Sequence, residues 1–403
     1  MPTAKPLDLS LAARLAHIPP TVFSEMSALA IRTGALNLGQ GFPDVDGPAS
    51  VVAAAEAALE SGANQYAPGI GVPALRAAIS RHQQRHYGLE PDPDREVVVT
   101  TGCTEAIAAA LLALVDPGDE VVVLEPYYDS YVAMLDMCGA RRRPVTLRAP
   151  AGSRTTPRPD LDELRAAVTG DTRLILLNTP HNPTGTVLTR EELQVVADLA
   201  IEHDVIVVTD EVYEHLVFDD ARSAEGHVPI ATLPGMWERT LTLSSAGKSY
   251  SFTGWKVGWA TGPEPLVQAV LAAKQWLTFT SGSPLQPAVA HALDHEPDWP
   301  RALARDLQGR RDLLCDGLAA AGLVPRVPEG TYFATTDVSH LGWPDGRAFC
   351  LALPELAGVV AIPTQGFYDD REAGRQLVRW AFCKEPDVIS EGVRRLAAAD
   401  LSR

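Results

Sequence analysis

Lys248 stands in the segment "SSAGKS" (244–249), directly after the apolar run Leu241-Thr242-Leu243. Such a run reads as the end of a buried strand. An amine there either caps the strand and reaches water or is kept for its chemistry. Asp210 raises the same question. It closes the apolar run in "VIVVTDEVYEHL" (205–216), where an ionised carboxylate needs a cation or hydrogen-bond donors, or else serves as a helix N-cap. Arg379 lies inside the otherwise apolar "LVRWAFCK" (377–384), and its planar fork suits a carboxylate ligand or an internal salt bridge.

Three further segments carry polar or aromatic groups at strand ends. "TTGCTEA" (100–106) opens a helix at Gly102, whose small size allows close approach to the amides of Cys103 and Thr104; this is a phosphate or carboxylate cradle, or a plain strand–glycine–helix turn. "NTPHNPTG" (178–185) is a stiff turn holding two side-chain amides, those of Asn178 and Asn182. "EPYYDSY" (125–131) gathers Tyr127, Tyr128 and Tyr131 as packing or as a platform for a ring. Each has an ordinary structural explanation, and their conjunction is what points to chemistry. Lys248 offers an amine, Asp210 an anion, Tyr213 and Asn182 hydrogen bonds, Tyr128 a ring face, and Gly102 with Ser245 and Lys256 an anion cradle. That inventory fits an aromatic aldehyde phosphate joined covalently to the lysine, namely pyridoxal 5'-phosphate.

These residues need a scaffold that brings strand ends together. Short β-branched runs at Glu96–Thr100, Glu120–Leu124, Leu174–Leu177, Val205–Thr209, Thr240–Ser244 and Val257–Ala260 alternate with helical stretches such as Glu105–Val115 and Glu191–His203. Strands apolar on both faces and separated by helices predict an α/β fold with a mostly parallel sheet covered on both sides, and sites at the strands' carboxyl ends. Beyond about residue 290 the pattern changes to a charged helix (Trp299–Ala321) followed by Tyr332–Thr335, Val359–Ile362 and Leu377–Phe382. The reading is a large cofactor-binding domain over 46–290 and a smaller α+β domain made of 1–45 together with 291–403.

Composition narrows the remaining classes. A chain of 403 residues with 46% hydrophobic and 21% charged residues has ample length for a large core. A net charge of −17 argues against nucleic acid or an anionic membrane as the main partner, and the longest basic run is Arg141-Arg142-Arg143. Five cysteines without a CxxC pair and ten scattered histidines without HExxH suggest neither a disulfide framework nor a metal site. With no signal-peptide pattern and no spanning apolar segment, the expected address is the cytoplasm.

The motifs, in order, resemble fold-type I, class I/II aminotransferases over nearly the whole chain: "NLGQGFPD" (37–44), "NQYAPGIGVPALR" (64–76), "NTPHNPTG", "TDEVYE", "SSAGKSYSFTGWKVGW" and "LVRWAFCK". In detail the chain is similar to the subgroup of kynurenine, glutamine and methionine aminotransferases. "EVYEHLVFD" (211–219) and "AAKQWLTFTSGSPLQPAVA" (272–290) are similar to actinobacterial N-succinyldiaminopimelate aminotransferases. The resemblance implies that Lys248 bonds the cofactor and shuttles the substrate proton, that Asp210 pairs with the pyridine nitrogen, and that Tyr213 and Asn182 bind the phenolic oxygen. It places Tyr128 against the ring and Gly102, Cys103, Thr104, Ser245 and Lys256 at the phosphate. Tyr66 would reach the phosphate in a partner subunit, which requires a homodimer with shared sites, and Arg379 with Gly41 and Asn182 would grip the substrate α-carboxylate. Many relatives carry arginine where this chain has Lys256; the subgroup shares the lysine.

The implied reaction moves an amino group from an L-amino acid to a 2-oxo acid such as 2-oxoglutarate. The substrate side chain is expected near Phe23, Phe367 and Tyr368 and a partner segment around Phe279 and Thr280. Aromatic, sulfur-containing, glutamine-like and acylated diaminopimelate donors all remain open. A β-lyase or specialised synthase on the same site, and a non-catalytic ligand sensor, are the alternatives.

Overall fold

The computed structural model describes residues 11–16, 18, 20–150, 152–223 and 225–403. Its main sheet has eight strands in the spatial order Val97–Thr101, Val257–Thr261, Thr240–Ser245, Ile206–Asp210, Thr172–Asn178, Glu120–Glu125, Arg141–Arg148 and Arg158–Pro159. The five strands from Thr240–Ser245 to Arg141–Arg148 run parallel. Val257–Thr261 is antiparallel to both neighbours, and the short outermost strand is antiparallel as well. The fold is therefore α/β with a mostly parallel sheet, as the alternating runs predict.

Apolar residues on both faces of each strand explain why the sheet is buried on both sides. Val121, Val123, Leu174, Leu176, Val208 and Leu241 pack into one core, which the helix Gly102–Leu114 covers through Ala106 and Ile107. Their sequence neighbours Val122, Leu124, Ile175, Leu177 and Val207 point to the other core, closed by Leu193 and Val196 of the helix Arg190–Glu202. That second helix starts in a capping box between Thr189 and Glu192.

The strand Arg141–Arg148 is not anticipated by the sequence pattern, because its first half is the basic triplet. The structure shows what the triplet does. Arg143 pairs with Glu120 at 2.9 Å and Arg142 with Asp369 at 3.0 Å, so the charges tie a strand near the sheet's edge to its surroundings.

A second, antiparallel sheet joins Val324–Arg326, Phe333–Asp337, Leu377–Ala381 and Ile362–Pro363. The helix Val22–Thr33 ends at Gly34, and its Met26, Leu29 and Ala30 share a core with Phe349, Leu353 and Trp380. Val212, Tyr213, Leu216 and Phe218, from the turn after Asp210, belong to that same core. The turn carrying Tyr213 is thus wedged between the two sheets. Of the 45 leading residues read as part of the smaller domain, residues 1–10 lie outside the described residues.

Candidate active site

The residues expected to hold the cofactor and the α-carboxylate, Tyr66 excepted, line one cavity of about 280 Å³ at the carboxyl ends of the parallel strands, whereas Phe367, Tyr368, Phe279 and Thr280, expected at the substrate side chain, do not line it. Tyr66 instead is 83% exposed, with its ring edge-on to Phe279 at 5.5 Å. Phe23 also lines the cavity and stacks on Phe367, whereas Tyr368 is buried over Gly374 and does not reach the cavity.

Lys248 is delivered by the buried strand Thr240–Ser245 and one helical turn, Ala246–Ser249. Its Nζ donates to the hydroxyl of Tyr332 at 2.8 Å, and that hydroxyl donates to the Gly41 carbonyl at 2.7 Å. The amine does not run out to water as a strand cap would. Burial pushes its pKa down to about 8, so roughly one amine in ten is neutral at pH 7.

Asp210 is buried at its strand end and forms no ion pair among the described residues. Its carboxylate accepts from the Tyr131 hydroxyl at 2.6 Å, the Cys103 thiol at 3.3 Å and the Val212 amide at 3.2 Å. Burial raises its pKa, and these donors oppose the rise. No helix follows it, so the N-cap alternative does not hold. Asn178 fixes the neighbouring turn: it donates to the Asp210 carbonyl at 2.8 Å and accepts from the Asn182 amide at 2.8 Å.

The cradle depends on two glycines. Gly102 has φ +70°, and a Cβ there would lie 3.1 Å from Cε and Nζ of Lys256. At Gly258 a Cβ would lie 2.7 Å from the Gly102 carbonyl carbon and 2.9 Å from the Cys103 nitrogen. Backbone therefore packs directly on backbone where the helix Gly102–Leu114 begins. Lys256 reaches over this helix start, its Nζ 3.4 Å from the Thr104 hydroxyl.

Arg379 is 1% exposed. Its fork donates to the Asn182 side-chain oxygen at 3.1 Å and the Gly39 carbonyl at 3.0 Å, while Nε has no partner among the described residues. The guanidinium lies 3.9 Å from the centroid of Phe333 and 4.7 Å from that of Phe23. Burial pushes its pKa down to about 10. No carboxylate forms an ion pair with it among the described residues, so the internal salt bridge is absent and the arginine is left to meet an anion in the cavity.

Pyridoxal 5'-phosphate fits this residue set. The cavity combines an amine of lowered pKa, a buried carboxylate without a cation, an aromatic wall at Tyr128, and an amide-and-lysine cradle that a single Cβ would obstruct. When bound, the cofactor supplies an aldehyde that takes up an amino group and a ring that draws electrons from the adjacent carbon.

The model of the aminotransferase class I and II family matches residues 33–396. The chain belongs to this family. It is 50% identical over 392 residues to a probable N-succinyldiaminopimelate aminotransferase of Mycobacterium tuberculosis, covering 95% of this chain and 97% of the relative. It is 39% identical over 383 residues to the methionine aminotransferase of Escherichia coli, covering 95% and 97% respectively. The solved structure of N-succinyldiaminopimelate aminotransferase from Mycobacterium tuberculosis superposes with a TM-score of 0.92 at 50% identity, covering 96% of this chain and all of that one. The protein is a pyridoxal-phosphate-dependent aminotransferase of fold type I, acting between amino acids and 2-oxo acids.

Three parts of the aminotransferase site escape the sequence reading. Tyr332, the partner of Lys248, lies 84 residues further on, just before the strand Phe333–Asp337, and nothing local marks it. Tyr131 is visible only as one of three tyrosines, yet it alone of the three donates to Asp210. Gly258, two residues after Lys256, reads as an ordinary strand residue until its contact with Gly102 is seen.

Proposed function

We propose that this aminotransferase takes its amino group from an L-amino acid with a long, uncharged side chain (sulfur-containing, aromatic or glutamine-like) and passes it to a 2-oxo acid such as 2-oxoglutarate. The observation behind this reading is the charge inventory of the cavity. Its lining cations are Lys248, Lys256 and Arg379, and all are spoken for in the proposed roles. Lys248 bonds the cofactor and moves the proton at the substrate Cα. Lys256 joins the phosphate cradle of Gly102, Cys103, Thr104 and Ser245. Arg379, with Gly41 and Asn182, holds the α-carboxylate. Asp210 would pair with the pyridine nitrogen, Tyr213 and Asn182 would hydrogen-bond the phenolic oxygen, and Tyr128 would pack against the ring. The stacked pair Phe23 and Phe367 leaves an apolar wall for the side chain.

A second donor, N-succinyldiaminopimelate, is favoured by the 50% identity to the mycobacterial relative. It would need a cation for its distal carboxylate from outside this chain's cavity, as would 2-oxoglutarate when it serves as the acceptor. The exposed patch of Tyr66, Trp276, Leu277 and Phe279 supports a homodimer in which Tyr66 completes the neighbouring site. The sheet of residues 97–261 supports the division into 46–290 and the remainder, and five unpaired cysteines are in keeping with the cytoplasm.

The donor question is settled by spectroscopy of the holoenzyme without oxo acid. Loss of the visible cofactor band to a near-ultraviolet one is followed with methionine, phenylalanine, kynurenine, glutamine and N-succinyldiaminopimelate. Faster conversion by an uncharged donor is expected. Conversion by the succinylated donor alone would replace the first reading with the second, and release of pyruvate, ammonia and a thiol from an added cysteine S-conjugate, with an unchanged band, would indicate a lyase.

A further inference from the structure

Behind the active site, the helix Pro73–Tyr87 presents His82 and His86, one turn apart, to His215 of the turn that follows Tyr213. The three rings form a nearly equilateral triangle, with centroid separations of 4.6, 4.9 and 4.8 Å. One nitrogen from each lies within 4.8 Å of the others. We propose that His82, His86 and His215 bind a divalent transition-metal ion of the zinc type.

Spacing comes first. Histidines at i and i+4 share a helix face, so two ligands are set by one element and a third closes the set from another. Nitrogens held at about 2.0–2.1 Å from one ion in a tetrahedral site lie roughly 3.3 Å apart. The separations here bracket that value, from 2.7 Å between His82 and His215 up to the 4.8 Å limit. His86 is exposed, so its ring can rotate inward without disturbing a core.

The second argument is what the rings lack. His82 is 2% exposed, and its hydrogen bond among the described residues is to another imidazole. The nearby carboxylates are committed elsewhere. Glu214 accepts from Ser244 at 2.6 Å and Tyr87 at 2.7 Å, and Glu211 is paired with His227 at 2.7 Å. Converging imidazoles without a carboxylate between them are poorly satisfied by one another and well satisfied by a soft cation.

The third argument is access. His86 and His215 border a cavity of about 480 Å³, which leaves room for a water as fourth ligand. Such an ion would clip the helix Pro73–Tyr87 to the turn that carries Tyr213. The sequence, with scattered histidines and no HExxH, argues against a metal site. The third ligand stands 129 residues after the second, beyond the reach of a local motif.

The test uses tag-free holoenzyme dialysed against micromolar zinc chloride, with zinc per chain measured by atomic emission. Wild type is expected to retain a single zinc, and His86→Gln and His215→Gln each to bind it at least about tenfold more weakly. His291→Gln, which breaks the exposed His291–His295 pair, should leave retention unchanged. His86 is exposed, so its variant should keep the fold, checked by its visible cofactor band. No retention by wild type, unchanged retention by His86→Gln and His215→Gln, or loss confined to His291→Gln would each overturn the proposal.

Discussion

The ammonium of Lys248 donates to the hydroxyl of Tyr332 at 2.8 Å, and Tyr332 in turn holds the Gly41 carbonyl at 2.7 Å. One phenol therefore connects the amine to Gly41, which lines the same cavity. An acceptor facing an ammonium favours its charged form, while burial disfavours it, and burial wins, leaving the pKa at about 8. Capture of pyridoxal 5'-phosphate by cofactor-free protein needs the neutral amine. Its rate should rise with pH and reach half its maximum near 8. Tyr332→Phe removes the acceptor, so the pKa falls further and the midpoint moves down by about one pH unit. Stopped-flow absorbance over a pH series measures it; an unmoved or raised midpoint would count against the arrangement.

At Asp210 the balance has the opposite sign. Burial raises its pKa, and the Tyr131 hydroxyl at 2.6 Å is the foremost group opposing the rise. Tyr131→Phe removes a donor to the anion, so the pKa rises. Activity that depends on the ionised carboxylate is present above this pKa and lost as pH falls through it. The acid limb of the kcat/KM profile should therefore move up by roughly one pH unit, with the plateau little changed. A lowered plateau with an unmoved limb would mean that Tyr131 serves packing alone.

Arg379 holds its guanidinium 4.7 Å from the centroid of Phe23 and 3.9 Å from that of Phe333, with Nε unpartnered among the described residues. Arg379→Lys preserves the charge but loses the fork and the stacking. We expect kcat/KM to fall about a hundredfold for every amino donor, mainly through KM. The loss should be equal for methionine and phenylalanine, because the α-carboxylate is common to both. A loss confined to one donor would place Arg379 at the side chain instead.

The strands that build the site could be read from the sequence because each is apolar on both faces and ends in a polar or small residue. Lys248, Asp210 and Arg379 stood out for the same reason, as charges in apolar runs. What the sequence hid was set by tertiary approach. Arg141–Arg148 looked like a basic surface run because its charges are neutralised by Glu120 and Asp369, one on an adjacent strand and one 227 residues away from Arg142. Tyr332 and Gly258 matter only for what they touch, and periodicity carries no such information. Tyr368 was named beside Phe367 by adjacency, yet the chain turns between them and sends one ring toward Phe23 and the other over Gly374.

Tyr66 tests whether sites are shared across a homodimer. It is 83% exposed and leans on Phe279, itself half exposed, in a patch with Trp276. A tyrosine so placed does nothing for its own cavity. If its hydroxyl bonds the cofactor phosphate of the neighbouring subunit, Tyr66→Phe should weaken cofactor binding about tenfold, the worth of one hydrogen bond to a charged group. Mixing Tyr66→Phe with Lys248→Ala subunits then rebuilds a site with both native residues. Mixed dimers, isolated by paired affinity tags, should bind cofactor at that site with wild-type affinity and recover close to half the wild-type activity per dimer. Isolated mixed dimers that bind cofactor with only the Tyr66→Phe affinity, and show half the Tyr66→Phe activity per dimer, would show that each subunit completes its own site.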